Sequence, residues 1–450
     1  MAGSRPEAGK PLILSADWVL PVSAPPIRDG AVAVEGGRIA AVGPASELGR
    51  GTRYEEAVIV PGFVNAHSHL EYAVYAGFGD GLPFARWLAL HVERKARIGP
   101  DEMEAIARLG AAQCLASGVT TVGDASFSGA SAPACETLGL RAIVYLEVFG
   151  RGTEQLVSRF EAHRDRIAGS LSDRVRLGIS PHAPYTCSPE LYEACRELGL
   201  PLATHLAESP AERDWLERGE GPFAADARLL VPPPGKTGIR VLAERGLLDE
   251  RVVAAHCVAI DDEEIGLLAR HGVGVAHCPR SNALLGCGIA PVEALLDAGV
   301  RVGLGTDSPA STPSFDFFEE LRSTLALTRL RGGRPEALSA TRAVELATLG
   351  GARALGLDAE VGSLEPGKRA DLAVVSLAGS SFLPWEDPAA AVVLGGSPAR
   401  VLTTLVEGEV RYAPDEFEWH ELLQNGIRAR SLLLRPSRSP LGAFAAPTAP

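Results

Sequence analysis

Residues 58–71 read VIVPGFVNAHSHLE, an apolar run that ends in two histidines separated by one residue. Alternate residues of a β-strand point to the same face, so His67 and His69 can offer two ring nitrogens to one metal ion. Taken alone, such a pair is equally compatible with a solvated turn. Whether it forms a metal site depends on what the rest of the chain supplies.

Length and composition limit the class of protein. The chain has 450 residues, 46% of them hydrophobic, and a formal net charge of −13. Nucleic acids and anionic membranes bind basic faces, so we expect a small-molecule substrate and neither of those partners. The sequence contains no run of 18 apolar residues and no apolar segment behind its first charges. We therefore expect neither a membrane span nor a signal peptide, and a cytoplasmic location.

Seven cysteines are scattered along the chain without any C-x-x-C motif. This usage is typical of free thiols in a reducing compartment. Cys257 and Cys278 directly follow histidines, and as strand neighbours they would point to the opposite face. We interpret both as core residues, not as metal ligands.

Between residue 58 and about residue 350, short apolar runs alternate with longer helical patterns. The strand candidates are Val58–Val64, Thr120–Gly123, Arg141–Val148, Val175–Ile179, Leu202–His205, Val252–His256, Gly272–His277 and Arg301–Gly305. Eight strands alternating with helices favour an α/β fold of the (β/α)8 TIM-barrel type. An open doubly wound sheet is disfavoured, because its glycine-rich nucleotide fingerprint is absent after the first strand.

Both ends of the chain alternate short β segments with turn signals. We predict that residues 1–60 and 357–450 form one small composite β-sandwich domain and that residues 61–356 form the barrel. Residues 435–450 are rich in Pro, Ser and Ala, and we expect them to form a loose tail.

Further metal-ligand residues fall at the ends of the predicted strands. His182 follows the fourth strand, His205 ends the fifth, His256 ends the sixth and Asp307 ends the eighth. Any one of them could be a core histidine or a capping aspartate. Because the active face of a barrel collects the carboxyl ends of its strands, their joint placement predicts a site. Three imidazoles and one carboxylate suit Zn²⁺, Fe²⁺ or Mn²⁺, and such an ion lowers the pKa of bound water.

Glu208 stands three residues after His205. A carboxylic acid in this place could pass protons between water and substrate. The alternative is a glutamate in the first turn of the next helix, which the helix dipole favours. His256 could steer the attacking oxygen, and Asp307 could accept a water proton.

Five phrases together carry a family resemblance: PGFVNAHSH (61–69), HAPY (182–185), HLAE (205–208), HCPRSN (277–282) and GTD (305–307). They resemble the amidohydrolase superfamily, in particular its mononuclear deaminase and chlorohydrolase branch, over essentially the whole chain. The resemblance implies a hydrolase acting on a non-peptide carbon–nitrogen bond. It also implies metal ligands His67, His69, His205 and Asp307, with Glu208, His256 and Asp307 in catalysis.

The number of metal ions follows from one missing residue type. Dinuclear relatives bridge two ions with a carbamylated lysine of the fourth strand, and this chain has no lysine between Lys95 and Lys236. We therefore expect a single divalent ion, with Zn²⁺ first. Barrels of this kind often pair, so a homodimer is also an expectation.

The phrase LPFARWL (82–88) resembles nucleoside deaminases, which implies that Trp87 lines the nucleoside site and that His182 contacts the base. The alternative for Trp87 is helix packing. Deaminases of methylthioadenosine and S-adenosylhomocysteine carry a ribose-binding glutamate where this chain has Ala96. Glu93, one turn earlier, is a candidate replacement.

Two further phrases, HLEY (69–72) and ESPAERDWL (208–216), resemble aminodeoxyfutalosine deaminases of menaquinone biosynthesis. The best prediction from the sequence is therefore removal of the 6-amino group from 6-amino-6-deoxyfutalosine. The candidates to bind the carboxylate of that substrate are Arg86, Arg213 and Arg280. Open alternatives are another purine deaminase, a triazine dechlorinase and a non-catalytic scaffold, although a scaffold should have lost ligands.

Overall fold

The computed structural model describes residues 11–383 and 386–435. Its centre is a closed barrel of parallel strands, in which Leu304 of the last strand pairs with Asn65 of the first. The barrel strands are β5 (Phe63–Ser68), β6 (Val119–Ser126), β7 (Arg141–Val148), β8 (Val175–Pro181), β9 (Leu202–Leu206), β10 (Val252–His256), β11 (Gly274–His277) and β12 (Arg301–Leu304). The predicted (β/α)8 barrel is confirmed.

Alternation along the barrel strands separates two apolar layers. On β7, Ile143 and Tyr145 pack inside the barrel, whereas Val144 and Leu146 pack outward against the helices. Strands buried on both faces in this way read as continuous apolar runs, which is what the sequence contains. A polar residue at the end of an inward row is thereby carried to the mouth of the barrel.

Helices surround the barrel and cover its outer face, except for the first of them, which packs against the strands Ile27–Glu35 and Arg38–Pro44 at the end of the chain. They are α1 (Ala45–Leu48), α2 (Phe84–Lys95), α3 (Pro100–Ala116), α4 (Ser131–Leu138), α5 (Glu154–Ile167), α6 (Pro189–Glu197), α7 (Pro210–Arg218), α8 (Gly238–Glu244), α9 (Asp262–Arg270), α10 (Pro279–Leu284), α11 (Val292–Asp297), α12 (Phe317–Gly332), α13 (Ala340–Glu345), α14 (Gly351–Ala354), α15 (Pro388–Gly395) and α16 (Trp419–Leu433). Several start on side-chain caps; Ser209, for example, accepts from the Glu212 backbone N–H at the start of α7.

The two ends of the chain meet in a separate seven-stranded mixed sheet. Its strands are β1 (Leu12–Val19), β2 (Ile27–Glu35), β3 (Arg38–Pro44), β4 (Thr52–Pro61), β13 (Leu372–Ser376), β14 (Val401–Val406) and β15 (Glu409–Tyr412). The order is β15-β14-β13-β4-β1-β2-β3, so β13 from the second half of the chain pairs with β4 from the first. The domain limits at residues 60/61 and 356/357 stay a prediction. Of the predicted loose tail, residues 436–450 lie outside the described part of the chain.

The first predicted strand is in fact two strands. β4 ends at Pro61 in the flanking sheet, and β5 begins at Phe63 in the barrel. Gly62 joins them where the chain passes beside Thr120, and a Cβ at this position would lie 2.1 Å from Thr120 Oγ1. Only glycine, which has no Cβ, allows the backbone to pass so close to Thr120. The chain therefore changes from the flanking sheet to the barrel at this residue. Periodicity alone could not reveal this break, because both strands are apolar.

A buried ion pair links the barrel to the flanking sheet. Arg141 at the start of β7 donates from Nε to Asp371 Oδ2 at 2.8 Å, and from Nη2 to Glu407 Oε1 at 3.2 Å. The side chains of Arg141 and Asp371 are 3% and 1% exposed. This contact lies at the amino end of the strands, opposite the face that carries the site.

All seven cysteines lie within the described residues, and all are buried and free of disulfides, as expected. Cys257 and Cys278 are core residues. Among the residues described, no helix is both long and apolar enough to cross a membrane.

Candidate active site and metal centre

The carboxyl ends of the barrel strands bring the predicted ligands together. One ring nitrogen each of His67, His69 and His205 lies within 4.8 Å of the others. Asp307 joins them, with Oδ1 3.8 Å from His67 Nε2 and 3.5 Å from His69 Nε2. All four side chains are buried. The sequence had placed these residues on three separate strands, and the barrel closes the ring.

The hydrogen bonds of two histidines define which nitrogens face the centre. His69 Nδ1 donates to the Ala125 carbonyl and His205 Nδ1 donates to the His182 carbonyl, both at 2.8 Å. Each ring therefore carries its proton on Nδ1 and presents an unprotonated Nε2. These two Nε2 atoms lie only 3.2 Å apart. Two lone pairs that face each other at this distance are stabilised by a cation between them.

The donor set fits a divalent transition metal. His67 Nε2 is buried and has no hydrogen-bond partner among the described residues. Burial and the neighbouring imidazoles hold the pKa of His67 well below its usual range, and burial lowers that of His205 to about 4. Neutral imidazoles are the form that binds metal. Three such nitrogens and one carboxylate match the ligands that Zn²⁺ prefers.

Asp307 is held in place by two hydroxyl groups. Its Oδ2 accepts from Ser281 Oγ at 2.7 Å and from Ser311 Oγ at 2.6 Å, which leaves Oδ1 free toward the imidazoles. Burial opposes ionisation, but His69, His256 and the hydroxyls outweigh it and lower the pKa of Asp307. Its backbone φ of +55° is strained for a residue with a side chain, as is often found in functional sites.

Glu208 and His256 lie side by side next to the ligand ring. Glu208 Oε1 is 3.7 Å from His256 Nε2, and both side chains are buried. His256 Nδ1 donates to Asn282 Oδ1 at 2.9 Å, so its Nε2 is unprotonated and free to accept. Burial, together with the charge of Asp307, raises the pKa of Glu208 well above its usual range. The raised pKa favours the protonated carboxyl, the form that can act as an acid.

Glu212 fixes the turn that carries Glu208. Its two carboxylate oxygens accept from the backbone N–H groups of Ala207 at 3.0 Å and of Glu208 at 2.8 Å. Ala207 has a positive φ of 52°, a conformation that needs such support. Sequence reasoning did not find Glu212, although its place three residues after the helix cap Ser209 is a recognisable signal.

His182 and Trp87 occupy different surroundings. The His182 ring lies 4.6 Å from His205 and 4.9 Å from Phe149, between ring centroids, so it borders the metal centre. Trp87 is partly buried on α2, and its Nε1 donates to the Ala310 carbonyl at 3.2 Å. This bond ties α2 to the loop after β12. That both residues contact the substrate stays a prediction.

Several residues proposed for substrate contacts are engaged elsewhere. Glu93 Oε1 pairs with Arg97 Nη2 at 2.6 Å on the exposed side of α2, so it does not replace a carboxylate at Ala96. Arg213 pairs with Asp261, Glu217 and Glu264, and Arg280 is buried between Glu319 and Glu320. Both guanidinium groups serve ion pairs between helices and loops. Arg86 stays a candidate.

The HLEY phrase has a structural role that its resemblance did not indicate. Glu71 is 1% exposed, and its carboxylate accepts from the Ser126 and Ser128 hydroxyls and from the backbone N–H groups of residues 127, 128 and 130. It therefore shapes the loop after β6. That loop carries Phe127, whose ring centroid lies 3.8 Å from Lys95 Nζ.

Comparison with known proteins gives a consistent result. A model of the Amidohydrolase family matches residues 58–411. The chain is 36% identical to a 5'-deoxyadenosine deaminase of Methanothermobacter thermautotrophicus over 87% of this chain and 91% of that protein. It is 35% identical to a 5-methylthioadenosine/S-adenosylhomocysteine deaminase of Moorella thermoacetica over 88% and 93%. A zinc-bound adenosine deaminase of Xanthomonas campestris superposes with a TM-score of 0.84, at 29% identity, over 94% of this chain and 98% of that one.

Proposed function

This chain belongs to the amidohydrolase family, and on that premise we propose that it removes the 6-amino group from an adenine nucleoside and releases ammonia. The observation that carries the proposal is the pair formed by Glu208 and His256 beside the ligand ring, 3.7 Å from each other. Two curated relatives, both deaminases of 5'-modified adenosines, support the same reaction.

We assign the metal to His67, His69, His205 and Asp307. The unpartnered Nε2 of His67 and the facing Nε2 atoms of His69 and His205 support this ligand set. When bound, a Zn²⁺ ion polarises a water molecule and lowers its pKa toward neutrality. The hydroxyls of Ser281 and Ser311 hold the carboxylate so that Oδ1 points to the ring nitrogens.

In the proposed reaction, protons move between the attacking water, Asp307, Glu208 and the purine. The oxygen of water bonds to C6 of the purine, and its proton passes to the Asp307 carboxylate. Glu208 donates its proton to the adjacent ring nitrogen N1, while His256 Nε2 accepts a hydrogen bond from the attacking water. The C6–N bond breaks as the amino group takes the proton from Asp307. The new hydroxyl returns a proton to Glu208, which leaves a carbonyl at C6 and free ammonia.

Within adenine nucleosides, the proposed substrate class carries a modified 5' position. Both curated relatives act on such compounds, 5'-deoxyadenosine and 5-methylthioadenosine or S-adenosylhomocysteine. Aminodeoxyfutalosine stays a second candidate, because the HLEY and ESPAERDWL phrases favour it. The contacts of Glu71 and Glu212 weaken that support, since these residues hold loops in place.

The test is ammonia release from zinc-loaded protein with 5'-deoxyadenosine, methylthioadenosine, S-adenosylhomocysteine, adenosine, aminodeoxyfutalosine, guanine and a chlorinated triazine. We expect turnover of the 5'-modified adenosines and loss of turnover in Glu208→Gln with metal content unchanged. A preference for aminodeoxyfutalosine selects the second candidate. Chloride release from the triazine without ammonia from any purine overturns the deaminase proposal.

A further inference from the structure

Glu147 lies in the mouth of the barrel beside the histidines but takes no part in the proposed deamination. It follows Ile143 and Tyr145 in the inward row of β7, and it is 8% exposed. One of its carboxylate oxygens and one ring nitrogen each of His182 and His205 lie within 4.8 Å of one another. The carboxylate therefore borders the space in which a substrate must sit.

The Glu147 carboxylate has unused hydrogen-bonding capacity. Its Oε1 is buried and has no hydrogen-bond partner among the described residues. The contrast with Glu71 is direct, because Glu71 accepts from two hydroxyls and three backbone N–H groups in the neighbouring loop. A buried carboxylate oxygen without a donor is costly unless a ligand supplies one.

Lys95 supplies a positive charge on the same side of the barrel mouth as Glu147. Lys95, at the end of α2, holds its Nζ 3.8 Å from the Phe127 ring centroid and 5.0 Å from that of Tyr72. Burial raises the pKa of Glu147 to about 8 and lowers the pKa of Lys95, and the charge of each group opposes the shift of the other. A carboxylate and an ammonium group together can accept from one hydroxyl and donate to another, which is the pattern that a vicinal diol requires.

An aromatic wall connects this corner to the metal centre. Ring centroids are 6.1 Å apart between Phe127 and Phe149, 4.9 Å between Phe149 and His182, and 4.6 Å between His182 and His205. A planar purine can lie along such a wall with its reacting carbon at the metal. Glu147 lies at the His182 end of this wall, and Lys95 lies at its Phe127 end.

We propose that Glu147 and Lys95 bind the vicinal hydroxyls of the substrate's sugar and set the preference for ribonucleosides over analogues without those hydroxyls. This inference rests on the proposed function, because the sugar belongs to the proposed substrate. A second metal ion fits this corner less well. It would need His205, whose only unprotonated nitrogen faces His69, and Lys95 already supplies the positive charge.

The test compares adenosine with 2',3'-dideoxyadenosine in the full-length, zinc-loaded protein. In Glu147→Gln we expect kcat/KM for adenosine to fall about 10-fold, mainly through KM, because a neutral amide oxygen is a weaker acceptor for a sugar hydroxyl than a carboxylate. The kcat/KM for the dideoxy analogue should change no more than about 2-fold. Lys95→Met should show the same selective loss. Glu93→Gln, on the exposed side of the same helix, is the matched control and should behave like wild type.

Direct binding separates this inference from the deaminase proposal. The affinity of each nucleoside is measured by calorimetry for wild type and Glu147→Gln, together with metal content. If adenosine binds more tightly than its dideoxy analogue only while Glu147 is present, the inference stands even if no ammonia is released. The inference is overturned if Glu147→Gln lowers the affinity for both nucleosides equally, leaves both affinities unchanged, or loses the metal.

Discussion

Nε2 of His69 and Nε2 of His205 lie 3.2 Å apart, although the other nitrogen of each ring donates to a backbone carbonyl. The two carbonyls, from Ala125 and His182, thus orient two lone pairs toward one point. Backbone acceptors that fix a ring in this way are typical of metal-binding histidines. The arrangement defines the centre on which the remaining site residues converge.

Replacement of His205 should abolish stoichiometric metal binding. In His205→Ala two imidazoles and one carboxylate remain, and we expect bound zinc to fall from one ion per chain to well below half after dialysis. The gain in melting temperature on zinc addition should also disappear, because a ligand that binds the folded state stabilises it by mass action. Elemental analysis and thermal melts measure both. Retained zinc and an unchanged zinc-dependent shift would contradict the assigned ligands.

Replacement of Glu212 should slow catalysis without loss of metal. Glu212→Gln leaves one oxygen for two backbone N–H groups, so the turn that carries Glu208 loses a hydrogen bond. We expect kcat to fall about 10- to 100-fold, since a small displacement of an acid group has effects of this size. KM and bound zinc should stay close to wild type.

Glu217→Gln is the matched control for Glu212→Gln. Glu217 lies on the same helix and pairs with Arg213 at 3.2 Å at the surface. Its replacement should leave kcat unchanged. Steady-state kinetics on both variants therefore separates a role in positioning Glu208 from a general effect of charge on α7; equal kinetics in the two would count against that role.

The sequence could predict the site because its histidines and Asp307 follow apolar runs. His67, His205 and His256 each stand within or at the end of a barrel strand, where a chain position translates directly into a place in the barrel. Glu147 was not identified from the sequence, although it is the one acidic residue of β7 and stands near the end of a mostly apolar strand. The alternation Ile143, Tyr145, Glu147 would have placed it inside the barrel.

Other features depend on contacts between distant segments. The donors that occupy Glu71 come from residues 126–130, more than 50 positions away, so a local phrase cannot distinguish a loop anchor from a substrate contact. The ion pairs of Arg280 also join distant positions, since Glu319 and Glu320 lie 39 and 40 residues away along the chain. The sequence shows that such groups are charged, and only the fold shows what neutralises them.

Addition of a single methyl group at the junction of the two sheets should destabilise the protein. In Gly62→Ala the new Cβ would overlap the Thr120 side chain, which β6 holds against the barrel. We expect the free energy of unfolding to fall by about 3 kcal/mol. Gly169→Ala is the control, because nothing lies within 4 Å of a Cβ there, and it should change stability by less than about 0.5 kcal/mol. Urea unfolding measures both; similar stabilities would contradict the close packing at Gly62.

Loss of the buried Arg141 guanidinium should uncouple the barrel from the flanking sheet. Arg141→Met leaves Asp371 buried without its counterion, at a cost of about 3–5 kcal/mol. Adding Asp371→Asn removes the unpaired charge and keeps an acceptor for the Glu407 backbone N–H. We expect the double variant to recover much of the stability in thermal and urea unfolding. A double variant no more stable than Arg141→Met would contradict a stabilising role of the Arg141–Asp371 ion pair.

The most direct test of the proposed deamination is simultaneous measurement of ammonia and of the deaminated nucleoside from 5'-deoxyadenosine, with wild type and Glu208→Gln each loaded with one zinc ion per chain. We predict equal amounts of the two products with wild type. With Glu208→Gln we predict a rate lower by at least about 100-fold at unchanged zinc content. Absence of both products from folded, zinc-loaded wild type, or full activity of Glu208→Gln, would contradict the proposal.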